Sequence, residues 1–333
     1  MRFVAACLAL AAGMPSADVA AQEWCPAPAG RWITVANRVR LHVVDWGRTG
    51  EPIIFLSGIL GSAHIFDDFA PLFAETHRAI AITRRGIPPS DKSPSGYTAA
   101  VLTSDIIAVM DSLGISGAHL VGWSFGGNEA ALLAVASPKR VLSLTLLDSY
   151  DRRARRPRTA DSPMPLPPPS FLSFDSLSPL SLQWRDQRLG DRPPPLSFVC
   201  TSNKFTAEGR YIGPVVSPPV RDSIAGAMRE GMPGLPYSQV RQPVLALFAV
   251  PRGIGDRFPT YATMSAQDRQ LADAMFRAAT ADMGAARDRV RREMPHARLI
   301  EVPGAAHALF QSHPEAVFLE MRKFLAGLHE KDP

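Results

Sequence analysis

The sequence predicts an α/β fold, with a mostly parallel central sheet flanked by helices. Short, wholly apolar runs bounded by turn residues indicate strands that are buried on both faces. Between these runs lie segments with an apolar helical stripe, such as Leu102, Ile106 and Met110. Because strand and helix alternate, successive strands are expected to pair in parallel through right-handed crossovers. The predicted buried strands are residues 52–56, 79–82, 119–121, 141–147, 244–250 and 298–302, and the predicted helices are residues 66–75, 98–113, 129–136, 265–293 and 314–328.

The segment ahead of the first buried run indicates two further strands. Residues 31–35 and 39–46 flank a turn at Asn37 and Arg38. In the second run apolar and polar residues alternate, which is typical of a strand with one buried face. We therefore expect a strand pair before the alternating strand–helix pattern begins.

Composition sets the class of protein. Of 333 residues 46% are apolar and 20% are charged, so the chain can bury a full core and is not a disordered protein. Beyond the N-terminus no apolar run approaches the roughly 18 residues that a membrane span needs.

The net charge of +5 includes an arginine cluster at residues 152–158. No aromatic residues interleave with this cluster and no nucleic-acid motif accompanies it, so we expect no nucleic-acid partner.

The N-terminus predicts an export signal over residues 1–21. A basic start, an apolar stretch at residues 3–14 and the small residues Ala20 and Ala21 before Gln22 match the pattern of a cleaved signal peptide. The expected location is therefore periplasmic or secreted, although a buried N-terminal helix would give a similar pattern. Removal of the signal leaves Cys25 and Cys200, a pair compatible with one disulfide.

The alternating pattern stops between residues 151 and 241. Fifteen of the 31 prolines fall between Pro157 and Pro236, and no comparable strand–helix alternation is present there. We therefore predict one domain, formed by residues 22–150 and 242–333, which is interrupted by a proline-rich cap at residues 151–241. Apolar residues of this cap are expected to wall a substrate site, namely Phe171, Leu172, Phe174, Leu177, Trp184 and Phe198.

The most specific motif is Gly122-Trp123-Ser124-Phe125-Gly126, between a predicted buried strand and a predicted helix. A serine at such a tight turn is forced into a strained conformation that presents its hydroxyl at the carboxyl edge of the sheet. The residues two positions away must be small so that the turn can close. The following amide, Phe125 N–H, then points to where an oxyanion would form.

A serine hydroxyl needs a base to become a nucleophile. His307 follows the last predicted strand and precedes the last helix, and the order of serine before histidine suits this topology. A second oxyanion donor is expected from the loop after residues 52–56, where Gly58 permits close approach and Ile59 N–H is the candidate. An ordinary surface histidine and an ordinary glycine turn are the competing interpretations of these two features.

With these motifs the sequence resembles the serine-nucleophile branch of the α/β-hydrolase superfamily over essentially the whole mature chain. Residues 83–91 resemble the loop that this family carries after its fourth strand, and the proline-rich segment occupies the position of its cap. More narrowly, the Ala249-Val250-Pro251 segment resembles exported bacterial members of the family. Ser57 departs from the histidine that is usual there, but the backbone donor is unaffected.

The acid of the predicted triad has two candidates. The common family position, after the strand that follows the cap, points to Asp256, which lies in a loop made mobile by Gly253 and Gly255. Asp148 is directly at the end of the predicted strand 141–147, and some family members take the acid from there. A strand end fixes a carboxylate better than a glycine loop, so we prefer Asp148, although a turn at the cap hinge would also explain it.

The resemblance implies a serine hydrolase that cleaves a carboxylic ester or lactone. The apolar cap residues favour a medium-sized hydrophobic acyl or alcohol group. Ser124 argues against haloalkane and epoxide hydrolysis, which use a carboxylate nucleophile in this superfamily. We expect neither a cofactor nor a metal, because no H-E-x-x-H or phosphate-loop motif occurs. Cleavage of amides, peptides or carbon–carbon bonds with the same residues is also compatible with the sequence, and so is non-catalytic ligand binding on the same fold.

Overall fold

The computed structural model describes residue 25 and residues 28–47, 49–151, 194–206, 211–258 and 261–329. Within these ranges the strands form one eight-stranded sheet and one two-stranded hairpin. The strands are β1 (Arg31–Thr34), β2 (Arg40–Asp45), β3 (Pro52–Leu56), β4 (Arg78–Ile82), β5 (Ala118–Trp123), β6 (Val141–Leu147), β7 (Asn203–Phe205), β8 (Tyr211–Pro214), β9 (Val244–Val250) and β10 (Arg298–Pro303).

The helices alternate with the strands of the large sheet as the sequence predicts. They are α1 (Ala99–Ser112), α2 (Phe125–Ala136), α3 (Leu196–Ser202), α4 (Pro218–Glu230), α5 (Ile254–Arg257), α6 (Ala266–Glu293), α7 (Leu309–Ser312) and α8 (Pro314–His329). Short 3-10 turns occupy Ala36–Arg38, Ala63–Phe66, Ala70–Phe73, Pro138–Arg140, Tyr237–Gln239 and Tyr261–Thr263.

The large sheet has the strand order β1-β2-β4-β3-β5-β6-β9-β10. The strands from β4 to β10 in this order pair in parallel, whereas β2 is antiparallel to both β1 and β4. The prediction of a mostly parallel sheet flanked by helices is confirmed. Strands β6 and β9 are neighbours in the sheet, so the chain leaves the sheet after β6 and returns to it at β9. The described elements on this excursion are α3, β7, β8 and α4.

The central strands are covered on both faces. One face of the sheet packs Ile54 and Leu120 into a core that includes Ile106 and Met110 of α1. The other face packs Phe55 into an aromatic cluster with Phe66 and Phe73 of the 3-10 turns, Phe69 between these turns, and Phe310 of α7. Each of these side chains contributes about 1.5–3 kcal/mol on burial. This packing fixes the carboxyl ends of β3, β5, β6, β9 and β10 along one edge, where the candidate site lies.

The predicted helix at residues 66–75 is replaced by two separate 3-10 turns, Ala63–Phe66 and Ala70–Phe73. Pro71 has no N–H, so a continuous helix through it would lose a backbone hydrogen bond, whereas a proline is well tolerated in the first turn of a new element. A new 3-10 turn therefore begins at Ala70, with Pro71 as its second residue.

A disulfide joins Cys25 to Cys200 of α3 with an S–S distance of 2.04 Å. Sequence alone leaves this pairing open, because the two residues are 175 positions apart. The bridge ties the segment before β1 to the described part of the predicted cap. The predicted signal peptide and the cap residues Phe171, Leu172, Phe174, Leu177 and Trp184 lie outside the described residues. Within the described ranges, every helix is too short or too polar to span a membrane.

Candidate active site

Ser124 occupies the turn between β5 and α2, in the unusual conformation that the motif predicts. Its backbone has φ 53° and ψ −118°, a strained region that costs about 1–3 kcal/mol for a residue other than glycine. The nearby glycines are required by close packing. A Cβ at Gly122 would overlap the backbone of Gly127, and a Cβ at Gly126 would overlap the carbonyl of Leu56. The turn can therefore close only with glycine at these positions.

Strand β6 and the residues after it hold the Ser124 turn in place. The backbone N–H of Ser124 donates to the Leu147 carbonyl at 3.0 Å. The hydroxyl of Ser149 donates to the Ser124 carbonyl at 2.7 Å. Both backbone groups of Ser124 are thus satisfied, and the strained conformation is fixed by the neighbouring strand rather than by the turn alone.

The structure brings His307 and Asp148 together. His307 Nδ1 lies 2.6 Å from Asp148 Oδ2, and Asp148 Oδ1 accepts a hydrogen bond from the Ala249 amide at 3.1 Å. Because an ionised carboxylate only accepts hydrogen bonds, a neutral imidazole in this contact has its proton on Nδ1 and its lone pair on Nε2. Asp148 is almost fully buried and has φ 43°, a left-handed conformation that aspartate tolerates. The His307 ring is thereby held in the tautomer that a general base requires.

Trp123 fixes the loop that carries His307. Its indole N–H donates to the His307 carbonyl at 2.9 Å, and the two rings lie 5.3 Å apart between centroids. The same indole covers Gly58, where an added Cβ would lie only 3.0 Å from the ring. Trp123 therefore contacts both the histidine loop and the loop after β3. Sequence reasoning assigned Trp123 no role, although its place beside Ser124 in the motif was a usable signal.

The second candidate acid, Asp256, has a different partner in the structure. Arg252 donates to it from the backbone at 2.7 Å and from the guanidinium at 3.0 Å. These hydrogen bonds lower the pKa of the Asp256 carboxyl. The structure thus places Asp256 against Arg252, and places Asp148 against the Nδ1 atom of His307.

The predicted oxyanion donors are Ile59 N–H, in the loop after β3, and Phe125 N–H, at the start of α2. Phe125 is the first residue of α2, and its N–H is among those left without an intrahelical acceptor. Arg84 donates to the Gly58 carbonyl at 2.7 Å and also to the Ser57 carbonyl. In a planar trans peptide the C=O and N–H point in opposite directions. The bond to the Gly58 carbonyl therefore turns the Ile59 N–H away from Arg84.

Arg84 also forms a buried ion pair with Glu129 of α2. Two parallel hydrogen bonds of 2.6 Å join the guanidinium to the carboxylate, and the guanidinium lies 5.2 Å from the centroid of the Phe125 ring. Burial raises the pKa of the Glu129 carboxyl, and Arg84 opposes that shift. One side chain thus connects the loop carrying Ile59 to the helix that begins at Phe125.

Sequence reasoning missed this pair, because its two members are 45 positions apart. A glutamate within the mostly apolar helix of residues 125–136 was the one available signal, since a buried carboxylate requires a partner.

A second buried ion pair lies next to the first. Arg85 donates to Asp105 of α1 through two hydrogen bonds of 2.6 Å. Both side chains are as buried as those of the Arg84–Glu129 pair, and burial raises the pKa of the Asp105 carboxyl. This pair links the loop after β4 to α1 rather than to the predicted oxyanion donors.

A cavity of about 290 Å3 opens at this edge of the sheet. Ser124 and His307 both line it, together with Ile59 of the predicted oxyanion loop and residues of α3 and α4. Of the six apolar cap residues that the sequence suggested as a wall of the site, Phe198 is described and lines the cavity. The described lining residues are Gly58, Ile59, Leu60, Gly61, Gly86, Ile87, Pro88, Trp123, Ser124, Phe198, Ser202, Asn203, Val216, Arg221, Ile224 and His307.

The chemistry that this arrangement offers is nucleophilic. It combines a hydroxyl on a strained turn, an imidazole oriented by a carboxylate, and backbone N–H groups at a helix start. Among the described residues no group of three or more His, Cys, Asp or Glu side chains has the arrangement of a metal site.

Comparisons with known proteins agree with this fold. The chain is 26% identical over 295 residues to BpoC of Mycobacterium tuberculosis, which carries the provisional name non-heme bromoperoxidase, and the match covers 85% of this chain and 97% of BpoC. Among solved structures, E-2-(acetamidomethylene)succinate hydrolase superposes with a TM-score of 0.63 at 21% identity, covering 90% of this chain and 99% of that one. The enol-lactonase of Burkholderia xenovorans LB400 superposes with a TM-score of 0.54 at 17% identity, covering 89% and 100%.

Residues 51–217 match the family model of the alpha/beta hydrolase fold, which is half of the chain. The match includes β3 to β6, the Ser124 turn and the loop after β4. The resemblance inferred from the sequence motifs is confirmed: this chain belongs to the α/β-hydrolase family.

Proposed function

We propose that this hydrolase cleaves carboxylic esters or lactones through an acyl-enzyme on Ser124. The observation that carries the proposal is that Ser124 lines one cavity with His307, whose Nδ1 is bonded to the buried Asp148. In this proposal Ser124 is the nucleophile, His307 is the general base and acid, and Asp148 orients His307.

The first half-reaction forms the acyl-enzyme. His307 Nε2 takes the proton of the Ser124 hydroxyl as its oxygen attacks the substrate carbonyl carbon. The carbonyl oxygen becomes an oxyanion, which accepts hydrogen bonds from the N–H groups of Ile59 and Phe125. When the ester bond breaks, His307 gives its proton to the departing alkoxide. Asp148 remains ionised and stabilises the imidazolium that exists between these two transfers.

The second half-reaction repeats these roles with water. His307 Nε2 takes a proton from a water molecule that attacks the acyl carbonyl, and the same two N–H groups stabilise the second oxyanion. His307 then returns its proton to the Ser124 oxygen, which releases the carboxylic acid and restores the starting hydroxyl. For a lactone, the released alcohol and acid belong to one molecule.

Amide cleavage is the second candidate activity, and the name of a structural relative favours it. The superposed E-2-(acetamidomethylene)succinate hydrolase is named for a substrate with an acetamido group. Carbon–carbon cleavage and ligand binding without catalysis have no comparable support. Turnover of p-nitrophenyl esters alongside the matching p-nitroanilides would separate ester from amide cleavage, and a non-catalytic binder would turn over neither.

The nucleophile is tested with a fluorophosphonate probe and two serine variants. We expect the probe to label the wild type and Ser202→Ala, and not to label Ser124→Ala. Ser202 is the matched control because it lines the same cavity from α3. Labelling of Ser124→Ala in intact-protein mass spectra would overturn the assignment.

The acid is tested by comparing Asp148→Asn with Asp256→Asn. An asparagine at position 148 can no longer hold the required tautomer of His307, so kcat should fall by about 10^4-fold. Asp256→Asn removes a contact to the exposed Arg252 and should leave kcat within about twofold. Comparable losses in the two variants would contradict the proposed role of Asp148.

We also propose that the protein is exported, to the periplasm or beyond. The signal-like pattern of residues 1–21 supports this, and so does the disulfide, since disulfides persist in oxidising compartments. Cell fractionation followed by N-terminal sequencing should find the chain outside the cytoplasm and beginning at Gln22.

A further inference from the structure

The cavity at Ser124 has two chemically different sides. The residues near the predicted oxyanion loop are mostly apolar or glycine, including Ile59, Leu60 and Ile87. The side formed by the described part of the cap adds polar groups: the Ser202 hydroxyl, the Asn203 amide and the Arg221 guanidinium. A substrate in this cavity would therefore meet a cation at some distance from the reacting serine.

Arg221 lies in the first turns of α4 and has no fixed partner in the described chain. Other arginines near the site are paired with carboxylates, as in Arg84–Glu129, Arg85–Asp105 and Arg252–Asp256. No carboxylate of the described residues lies within ion-pair distance of Arg221. In addition, no aspartate or glutamate is among the described residues that line the cavity. The charge of Arg221 is thus uncompensated within the described cavity wall.

An unpaired guanidinium in a cavity with apolar walls favours an anionic group. Its planar donors match the two oxygens of a carboxylate, and hydrogen bonds between charged groups are stronger than neutral ones. Arg221 is exposed, so water screens part of this attraction. Ser202 and Asn203 line the same cavity, and the Asn203 amide donates one N–H to the Val199 carbonyl at 2.9 Å and keeps a second N–H.

We propose that Arg221 binds a free carboxylate of the substrate, so that the enzyme acts on esters or lactones of dicarboxylic acids. This inference rests on the proposed function, because it places the ester carbonyl at Ser124 and the second acid at Arg221. The apolar residues between them would contact a short hydrocarbon spacer. A cavity of about 290 Å3 suits a small molecule of this kind, because it is just below the roughly 300–1,000 Å3 typical of ligand sites.

The test compares two esters that differ in one charge. The mono-p-nitrophenyl ester of glutaric acid carries a free carboxylate, and p-nitrophenyl pentanoate is its neutral counterpart of similar length. The measured quantity is the ratio of the two kcat/KM values. Succinate and adipate monoesters, with shorter and longer spacers, would give the distance between Ser124 and the cation.

Three variants isolate the contribution of Arg221. Arg221→Met keeps an unbranched apolar stem and removes the charge, and it should lower the ratio by about twofold to fivefold, as expected for an exposed charge pair. Arg221→Lys keeps the charge without the planar donors and should retain part of the preference. Arg229→Met is the matched control, because Arg229 is in the last turn of the same helix and is not among the lining residues. It should leave the ratio unchanged.

The outcomes separate this inference from the proposed function. If the neutral ester is hydrolysed but Arg221→Met leaves the ratio unchanged, the carboxylate site is wrong while the proposed function stands. If neither ester is hydrolysed and Ser124 is not labelled, the proposed function is wrong. In that case calorimetric titration with glutarate still tests the site: we expect binding to the wild type and to Arg229→Met, and none to Arg221→Met. Equal binding to all three would overturn the inference.

Discussion

Two consecutive arginines, Arg84 and Arg85, make buried ion pairs that are alike in geometry and differ in what they connect. Each guanidinium donates two hydrogen bonds of 2.6 Å to one carboxylate, and all four side chains are almost fully buried. Arg85 ends on Asp105 of α1. Arg84 also reaches the carbonyls of Ser57 and Gly58, and its partner Glu129 lies on the helix that begins at Phe125.

The comparison separates stability from positioning. A buried ion pair is weak evidence for stability, because desolvation offsets most of the attraction between the charges. The Arg85–Asp105 pair joins the loop after β4 to α1 and has no link to the predicted oxyanion donors. The Arg84–Glu129 pair joins the same loop to α2 and in addition sets the direction of the Ile59 N–H through the Gly58 carbonyl. Arg84 is therefore expected to act as a positioning residue for the proposed oxyanion hole, although it does not touch the reacting atoms.

The largest expected difference comes from replacing each pair by apolar residues of similar size. Arg84→Met/Glu129→Leu should lower kcat by about 10^2- to 10^3-fold, the effect of losing one oxyanion donor, with a smaller change in KM. Arg85→Met/Asp105→Leu should leave kcat within about threefold. Steady-state kinetics on a p-nitrophenyl ester give both values.

Unfolding in urea serves as the control for these double variants. Apolar replacement of a buried ion pair is often neutral for stability, so both proteins should remain folded. Equal losses of kcat in two folded variants would show that the pairs have the same role and would remove the distinction between them.

A conservative change should give a smaller difference in the same direction. Lysine keeps a charge opposite the carboxylate, but it lacks the planar guanidinium that donates to Glu129 and to the Ser57 and Gly58 carbonyls at the same time. Arg84→Lys should therefore lose about tenfold in kcat, whereas Arg85→Lys should lose less than twofold. The affinity for a boronic acid, which mimics the tetrahedral intermediate, should fall in parallel with kcat only in Arg84→Lys.

The smallest expected effect is on pH dependence, and here the two pairs should behave alike. Burial raises the pKa of Glu129 and of Asp105 above their ordinary values of 4.5 and 3.8. The folded state then binds these protons more tightly than the unfolded state, so the stability that each carboxyl contributes at low pH is lost as the pH rises from the ordinary pKa through the raised pKa of the folded state. Both double variants should therefore gain stability relative to the wild type as the pH rises above these ordinary carboxyl values.

Urea midpoints across this pH range provide the measurement. If the urea midpoint rises in only one of the two double variants, Glu129 and Asp105 differ in their electrostatic environment as well as in the segments that they join.

The features that the sequence predicted well are those with a local pattern. The buried strands, the helix of residues 99–112 and the turn at Ser124 each depend on residues close together in the chain, because backbone geometry sets their spacing. Asp148 and Asp256 could only be ranked, since which carboxylate meets His307 depends on how β6, β9 and β10 associate. Packing across the sheet determines that association, and the spacing of residues along the chain does not predict it.

The features that were missed depend on contacts between distant segments. Arg84 and Glu129 meet because β4 and α2 pack on β3 from different parts of the chain. Arg221 lines the cavity from α4, in a segment where proline-rich composition obscured the helix and the β7–β8 hairpin. The periodicity of a sequence does not reveal which charged residues pair with each other. From the sequence alone, such residues are therefore predicted to be solvent-exposed.

The Cys25–Cys200 bridge has a practical consequence for how the enzyme is prepared. Cys200 belongs to α3, the helix that contributes Phe198 and Ser202 to the cavity wall, so the covalent tether and the substrate site share one element. Protein made in a reducing cytoplasm would contain α3 without this covalent tether, so kinetic constants should be measured on the oxidised chain. Production with periplasmic targeting, or refolding with an oxidant, keeps the tether and with it the native wall of the substrate site.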